Sequence, residues 1–453
     1  MNLIYIHTHD TGRYISPYGY PADTPHILAL ARDATLFANS FCAAPTCSPS
    51  RASMLTGTYP HQNGMLGLAQ RGFGLYDYQR HLVSYLKQQG YHTVLCGIQH
   101  EAGWYLNRED AAPLGYDENL TADAHQYRKE DLGQWDRQNA DAVCSWLKQR
   151  RDDRPFMVSF GMHSTHRPFP DQIDDAVDER YVRPVYPITA NPENRHDQAA
   201  LLTSLRCVDE CVGKVVNALK ESGRYEDTVI LFTTDHGLAM PYNKCNLTDA
   251  GIAVLLMMRV PGASSNGTVV EDLVSHIDVF PTLCDLLGLP KPDYLEGKSF
   301  AGVFSGKSCG DDMIYCENNF HTSYEPIRCV RTRRYKYIRY FDSYDRINLS
   351  NCDDSVPKQF LMANGYRDQH KDMECLYDLY FDPGERNNLI NVDAYQPVVL
   401  ELRQALHDFQ VRTNDPLLKG PIPVKKTYKV NKRECVAASS KNPEDYDPEG
   451  TYY

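Results

Sequence analysis

No run of apolar residues in this 453-residue chain approaches the ~18 that a membrane-spanning helix needs, so no membrane partner is expected. The N-terminus, Met1-Asn2-Leu3-Ile4-Tyr5-Ile6-His7, carries no basic segment and no cleavage site, and does not read as a signal peptide. Basic residues do not dominate: 47 Lys and Arg stand against 59 Asp and Glu, a formal net charge of −12. General nucleic-acid binding, which needs a broad basic surface, is therefore not expected. An anionic small substrate stays admissible, because a pocket can be locally positive on an acidic protein. The 14 cysteines are spread from Cys42 to Cys435 without compact spacing. The expectation is reduced thiols in a cytoplasm, not a disulfide framework. Internal repeats are missing as well.

Enough apolar residues are present for a core, 42% of the chain. The first two thirds alternate strand and helix patterns. Residues 3–7 read as a short apolar strand, followed by a helix over 25–33. A helix over 81–89 stops at Gly90, and a strand over 93–96 follows at once. Further strands are expected over 156–160 and 228–233. Between them, Leu201, Leu205, Val208, Val212, Val215 and Leu219 keep helical spacing over 197–221. Repeated strand–helix–strand implies an α/β fold, a mostly parallel sheet sandwiched by helices. Ligands of such sheets gather beyond the carboxyl ends of the strands. Three polar clusters fall there: His9-Asp10, His163 to His166, and Asp235-His236.

Near residue 310 the texture changes. Residues 329–340 mix basic and aromatic side chains in short extended runs, 375–380 looks like one more strand, and 398–412 reads as an amphipathic helix. The expected organisation is a catalytic domain over 1–310 and a smaller antiparallel sheet with a helix over 311–419. Residues 420–453 would form an extended arm or a loosely held tail.

The decisive stretch is Cys47-Ser48-Pro49-Ser50-Arg51 with Ala52-Ser53-Met54-Leu55-Thr56-Gly57 behind it. A cysteine in a Ser/Pro turn is ordinarily an inert thiol. Cys47-x-Pro49-x-Arg51 in this setting resembles the sulfatase signature. Thr24-Pro25-His26-Ile27, Gly97-Ile98-Gln99-His100, His163 to Pro168, Thr234-Asp235-His236-Gly237, and Leu376-Tyr377-Asp378 with Asp382-Pro383 follow in the family's order. The run on to Pro60-His61-Gln62-Asn63-Gly64-Met65 looks particularly like the heparan N-sulfatase (sulfamidase) branch. So do Asp153-Arg154-Pro155-Phe156, His166-Arg167 and Thr413-Asn414-Asp415-Pro416.

The resemblance implies an alkaline-phosphatase-like fold and a formylglycine made from Cys47 by a separate maturation enzyme. A thiol would hold sulfate as a stable adduct, whereas a hydrated aldehyde keeps a second hydroxyl to expel it. It also implies one divalent cation held by Asp10, Asp235, His236 and position 47, with His9 beside them. Calcium is the family expectation, but it prefers oxygen ligands. Two imidazoles favour a softer ion such as manganese or zinc, unless His9 does not ligate; calcium stays first by resemblance and manganese second. By the same resemblance Arg51 stabilises the charged nucleophile and His100 contacts it. His166 is the general acid, and Lys244 holds sulfate oxygens.

One departure stands out. The family has lysine where Gln99 stands, so Lys244 or Arg167 would compensate, or the leaving group needs less help. His163 is either a specificity residue or a supporting partner. Glu317, Asn318, Asn319 and His321 fall where related enzymes recognise substrate, with an ordinary loop as the alternative. Arg331, Arg333 and Arg334 read as one solvated sheet face, and Cys207 and Cys211 as buried thiols.

The expected activity is hydrolysis of sulfate from a sulfated sugar, foremost the N-sulfate of glucosamine in heparin or heparan fragments. A glycosaminoglycan O-sulfatase is the nearest rival. A phosphonate or phosphodiester hydrolase on the same scaffold is the next. The intact Cys47, Arg51, Asp10 and Asp235 set disfavours a non-catalytic carbohydrate-binding protein. Homo-oligomerisation is left open.

Overall fold

The computed structural model describes residues 1–308, 311–447 and 450. The expected junction at 310 touches residues 309–310, which lie outside the described residues. Twelve strands are described: β1 (Asn2–Thr8), β2 (Thr35–Phe41), β3 (His92–Gly97), β4 (Glu118–Asn119), β5 (Phe156–Gly161), β6 (Thr228–Thr234), β7 (Leu256–Arg259), β8 (Val269–Ser275), β9 (Met313–Phe320), β10 (Tyr324–Thr332), β11 (Tyr335–Tyr340) and β12 (Glu374–Asp378). The first eight form one sheet in the order β4-β3-β5-β1-β6-β7-β2-β8. All its pairings are parallel except the two that β7 makes, with β6 and with β2. The mostly parallel sheet is thus observed, with β1, the first segment of the chain, near its centre.

Alternation along the strands explains why the sheet is covered on both faces. Ile4 and Ile6 of β1, Phe156, Val158 and Phe160 of β5, and Ile230 and Phe232 of β6 join one core. Leu3, Tyr5, Met157, Val229 and Leu231, one residue out of phase, join the other. The first core is closed by the Pro192–Glu221 helix, whose stripe from Leu201 to Leu219 lies in it as expected. That helix starts five residues before the expected 197, where Asn191 caps it by accepting from the Asn194 N–H at 2.7 Å. The Leu132–Gln149 helix packs beside it; it was not among the expected elements, although Leu132, Trp135, Ala140, Val143 and Leu147 keep helical spacing along its buried face, with Asp136 and Asn139 among them.

The second sheet, β12-β11-β10-β9, is antiparallel throughout. One face carries the Gln396–Thr413 helix through Val399, Leu402, Leu406 and Phe409. The other face, with Ile314, Ile327 and Ile338, packs on Phe41, Ile252 and Leu273 of the large unit. Because this sheet is covered twice, Arg331 is not solvated as expected. It is buried and clamps Asp249, 2.9 Å from Arg331 Nη2. Arg333 and Arg334 do remain half exposed, paired with Asp272 and Asp378. Among the described residues all thirteen cysteines are free, Cys207 and Cys211 buried among them.

In the described part of the C-terminal segment, the chain packs on the large unit. Ile422, Tyr428 and Val430 are buried against Phe73, Phe320 and Tyr324. Tyr428 stacks on Phe73 with centroids 3.9 Å apart. Tyr428→Ala is expected to remove about 3 kcal/mol of stability, the usual cost of truncating a buried aromatic. A urea titration checks it: the midpoint should fall with the slope unchanged.

Candidate active site

The three expected clusters converge beyond the carboxyl ends of β1, β5 and β6. Their convergence is built on backbone. Asp10 takes φ 52°, a left-handed conformation unfavourable for a residue with a Cβ. It is held there because its N–H donates to Asp235 Oδ1 at 2.8 Å. The neighbouring His9 N–H donates to Ser164 O, and Gly12 N–H to His236 O. The loops after β1, β5 and β6 are thereby laced together.

The stretch at Cys47 is not the turn that its Ser and Pro residues suggest. It is the first turn of a helix, Cys47–Thr56, capped at its far end by Gly57 at φ 63°. Every residue of this helix is buried. Its hydroxyls are satisfied locally: Ser53 Oγ donates to Pro49 O, Thr56 Oγ1 to Ala52 O and Ser50 Oγ to Asp235 O. Cys47 therefore sits at a helix N-terminus, which favours negative charge on its side chain. Arg51 follows one turn later. It donates to Thr8 O at 2.7 Å, to Asp235 Oδ2 at 3.0 Å and to His7 Nδ1 at 2.5 Å.

Around Cys47 Sγ stand His236 Nε2 at 3.3 Å and Asp10 Oδ1 at 3.9 Å. His236 Nε2 is also 3.3 Å from Asp10 Oδ1. His9 Nδ1 is 3.0 Å from Asp235 Oδ2, yet neither of its buried ring nitrogens has a well-formed hydrogen bond. One ligand atom from each of His9, Asp10, Cys47 and Asp235 falls within 4.8 Å of the others. Burial opposes ionisation of Asp235, but His236, Arg51 and His9 hold its carboxyl well below the usual range. Burial pushes the Asp10 carboxyl up to about 6, against Lys244 and His236. Two carboxylates, two imidazoles with an orphaned ring, and the side chain at 47 make a donor set that fits a divalent cation. Burial also pushes the Cys47 thiol well above its ordinary range, against Lys244 and with Asp10 and Asp235 adding to the rise. A bare thiol here would be uncharged and a poor nucleophile.

A second ring of groups surrounds this centre. Lys244 Nζ is 3.1 Å from Asp10 Oδ2. His166 Nε2 is 3.8 Å from the same oxygen, and its Nδ1 donates to Arg167 O at 2.5 Å. Burial, then Lys244, lowers His166 to about 4, with Asp353 opposing. His100 Nε2 meets Gln70 Oε1, and its ring lies 4.0 Å from Trp104. His163 stands in the same nest, 5.1 Å from the His166 ring and 5.2 Å from Tyr105. Buried His321 feels the charges of Lys244 and Asp353, and its Nδ1 has no partner.

Two expected substrate contacts, Arg167 and Glu317, do not fit, whereas Gln99 keeps a free amide group. Arg167 spends its guanidinium on a bidentate pair with Asp197 and a bond to Ala239 O, so it anchors its loop. Glu317 is fully buried, with its oxygens taken by the His61 N–H, the His61 ring and Asn319. Gln99 Oε1 accepts from the Glu101 and Ala102 N–H groups and closes its own turn; only its amide nitrogen stays unpartnered.

Two acidic residues went unread. Asp136 accepts from the His163 and Ser164 N–H groups at 2.8 and 2.9 Å and so fixes the loop that carries His163 and His166. Asp353, from the smaller unit, pairs with Lys244 at 3.1 Å. The adjacent acids in Asn351-Cys352-Asp353-Asp354 were the only signal.

Comparison with known proteins follows this geometry. A family model described as Sulfatase matches residues 1–289, and one described as N-sulphoglucosamine sulphohydrolase, C-terminal, matches 235–371. The chain is 27% identical to the human N-sulphoglucosamine sulphohydrolase, over 88% of this chain and 87% of that protein. It is 26% identical to the delta 4,5-hexuronate-2-O-sulfatase of Bacteroides thetaiotaomicron, over 90% and 88%. The crystal structure of the phosphonate monoester hydrolase of Agrobacterium radiobacter matches with a TM-score of 0.71 at 20% identity, over 94% and 99%. At that identity the likeness speaks for the fold alone.

Asp136→Asn keeps the shape of the side chain but turns one acceptor into a donor facing a backbone N–H. Leaving a buried donor unsatisfied costs about 1–3 kcal/mol. The expected result is a loss of that size in denaturant titration. Core amides that exchange only through global unfolding should lose hydrogen-exchange protection by the same amount.

Proposed function

The chain belongs to the sulfatase family, hydrolases of sulfate esters and sulfamates, and from that premise we propose that it removes the N-sulfate of glucosamine from heparin- or heparan-type saccharides. The observation that carries the N-sulfate reading is that the likeness runs through both units. The C-terminal match is to the N-sulphoglucosamine sulphohydrolase model, and the human relative is covered almost end to end. The second reading is a glycosaminoglycan O-sulfatase, which the hexuronate-2-O-sulfatase relative supports at nearly the same identity.

Converted to formylglycine and loaded with a cation, the centre would have a gem-diol oxygen nucleophile and a Lewis acid for a sulfate oxygen. The residues of this chain do the rest. Asp10, Asp235, His9 and His236 would hold the cation. Their mixed nitrogen and oxygen donors favour manganese over calcium. Arg51, fixed by Asp235 and Thr8, holds positive charge one turn below the nucleophile. Lys244 steadies the transferred group. His100, braced by Gln70 and Trp104, accepts a proton from the nucleophile on release. His166 gives a proton to the leaving nitrogen or oxygen. It is neutral at rest, and an adjacent sulfate favours its charged form.

The test is sulfate release from N-sulfoglucosamine by protein co-expressed with a formylglycine-generating maturation enzyme. Peptide mass spectrometry establishes the aldehyde at position 47. Cys47→Ala should abolish release, and His166→Ala should lower kcat about 100-fold or more. No release from protein shown to carry the aldehyde would overturn the N-sulfate reading; O-sulfated saccharides and then phosphodiesters come next. Metal analysis of the purified protein should find about one manganese per chain, lost in Asp10→Ala.

A further inference from the structure

Asp353 lies on the loop between β11 and the Val356–Ala363 helix, in the smaller unit. The fold carries it across to the catalytic centre. Its Oδ2 is 3.1 Å from Lys244 Nζ, and Lys244 Nζ is 3.1 Å from Asp10 Oδ2. The same Asp10 oxygen faces His166 Nε2 at 3.8 Å. Four groups are therefore linked through one lysine and one carboxylate oxygen.

Exposure sorts them into floor and mouth. The Asp10 side chain is 0% exposed and that of Lys244 2%, whereas Asp353 keeps 15% and His166 20%. Oδ2 of Asp353 is sealed in, so its exposure lies on the rest of the side chain. His166 and Asp353, the two exposed members, would be the outer groups nearest to a sulfate held by Lys244.

A carboxylate at that place has a definite chemistry. It accepts hydrogen bonds and donates none, so hydroxyl and amine groups suit it. A second sulfate or a uronate carboxylate would meet like charge in a site with little water to screen it. Lys244 does not cancel this effect, since the cation is already shared between two carboxylates.

We infer that Asp353 is a specificity-determining residue, which binds hydroxyl or amine groups beside the scissile sulfate and rejects saccharides that carry a second anion there. The inference rests on the proposed sulfatase reading and narrows its substrates to sugars with a single anionic group near the reacting one. A residue that merely held Lys244 would affect all substrates equally.

The test compares N-sulfoglucosamine with its N,6-O-disulfated counterpart. The parent enzyme should favour the monosulfated sugar at least 10-fold in kcat/KM. Asp353→Asn should cut that preference at least 5-fold, mainly by lowering KM for the disulfated sugar, and Asp353→Glu should keep it. Equal losses on both sugars would make Asp353 a positioning residue for Lys244 and overturn the inference. Calorimetric binding of the two sugars to Cys47→Ala, with and without Asp353→Asn, needs no turnover. A preference there that Asp353→Asn reduces supports the inference even where the N-sulfate activity fails. Equal affinity, or no binding of either sugar, overturns it.

Discussion

The carboxylate of Asp235 is the interaction on which the rest of the centre depends. One oxygen accepts from the backbone N–H groups of Asp10 and His236; the other takes Arg51 and faces His9. These partners come from the end of β1, the end of β6 and the helix that opens at Cys47. A single buried side chain thus sets the relative placement of nucleophile, metal donors and guanidinium. It also holds Asp10 in its left-handed conformation, which turns that carboxylate toward Cys47 and Lys244. Removing Asp235 would strand a buried arginine and release three loops together, so its role in structure and its role in binding a cation cannot be separated by one substitution.

Much of this was legible in the sequence, and the reason is geometric. β1, β5 and β6 are buried on both faces, so they appear as short apolar runs, and the residues that follow such strands must lie at one edge of the sheet. His9-Asp10, His163 to His166 and Asp235-His236 could be placed together on that argument alone. The helix at Cys47–Thr56 was not legible. It is buried all round and filled with Ser, Thr and Arg that bond to backbone carbonyls and to Asp235 and His7, so it carries neither an amphipathic period nor the usual apolar content. The Leu132–Gln149 helix is a different case: Leu132, Trp135, Ala140, Val143 and Leu147 keep helical spacing, and Asp136 faces inward among them to bind backbone.

Position in a motif also says little about where a side chain points. Arg167 and Glu317 stand close in sequence to residues of the centre, yet Asp197 and His61 take up their charges. Asp353 is the converse case. No local pattern marks it, and only the packing of the second sheet on Phe41, Ile252 and Leu273 brings its loop within reach of Lys244. The second unit therefore contributes chemistry as well as support.

The balance of charge in the centre is one that a bound cation would complete. Asp10, Asp235 and Asp353 supply three carboxylates, against the two fixed cations Arg51 and Lys244, and the lysine usual at the position of Gln99 is missing. A buried site of that balance would repel a sulfate rather than bind it. The crowding shows in Asp10, whose carboxyl burial drives up to about 6 with Asp235 and Asp353 adding to the rise. A divalent ion among His9, Asp10, Asp235 and His236 would reverse the sign of the site, satisfy the orphaned imidazole and keep Asp10 ionised. Such an ion would do here what an added lysine would do elsewhere. On the proposed reading Lys244 would then contact the transferred group and Asp353 the sugar behind it.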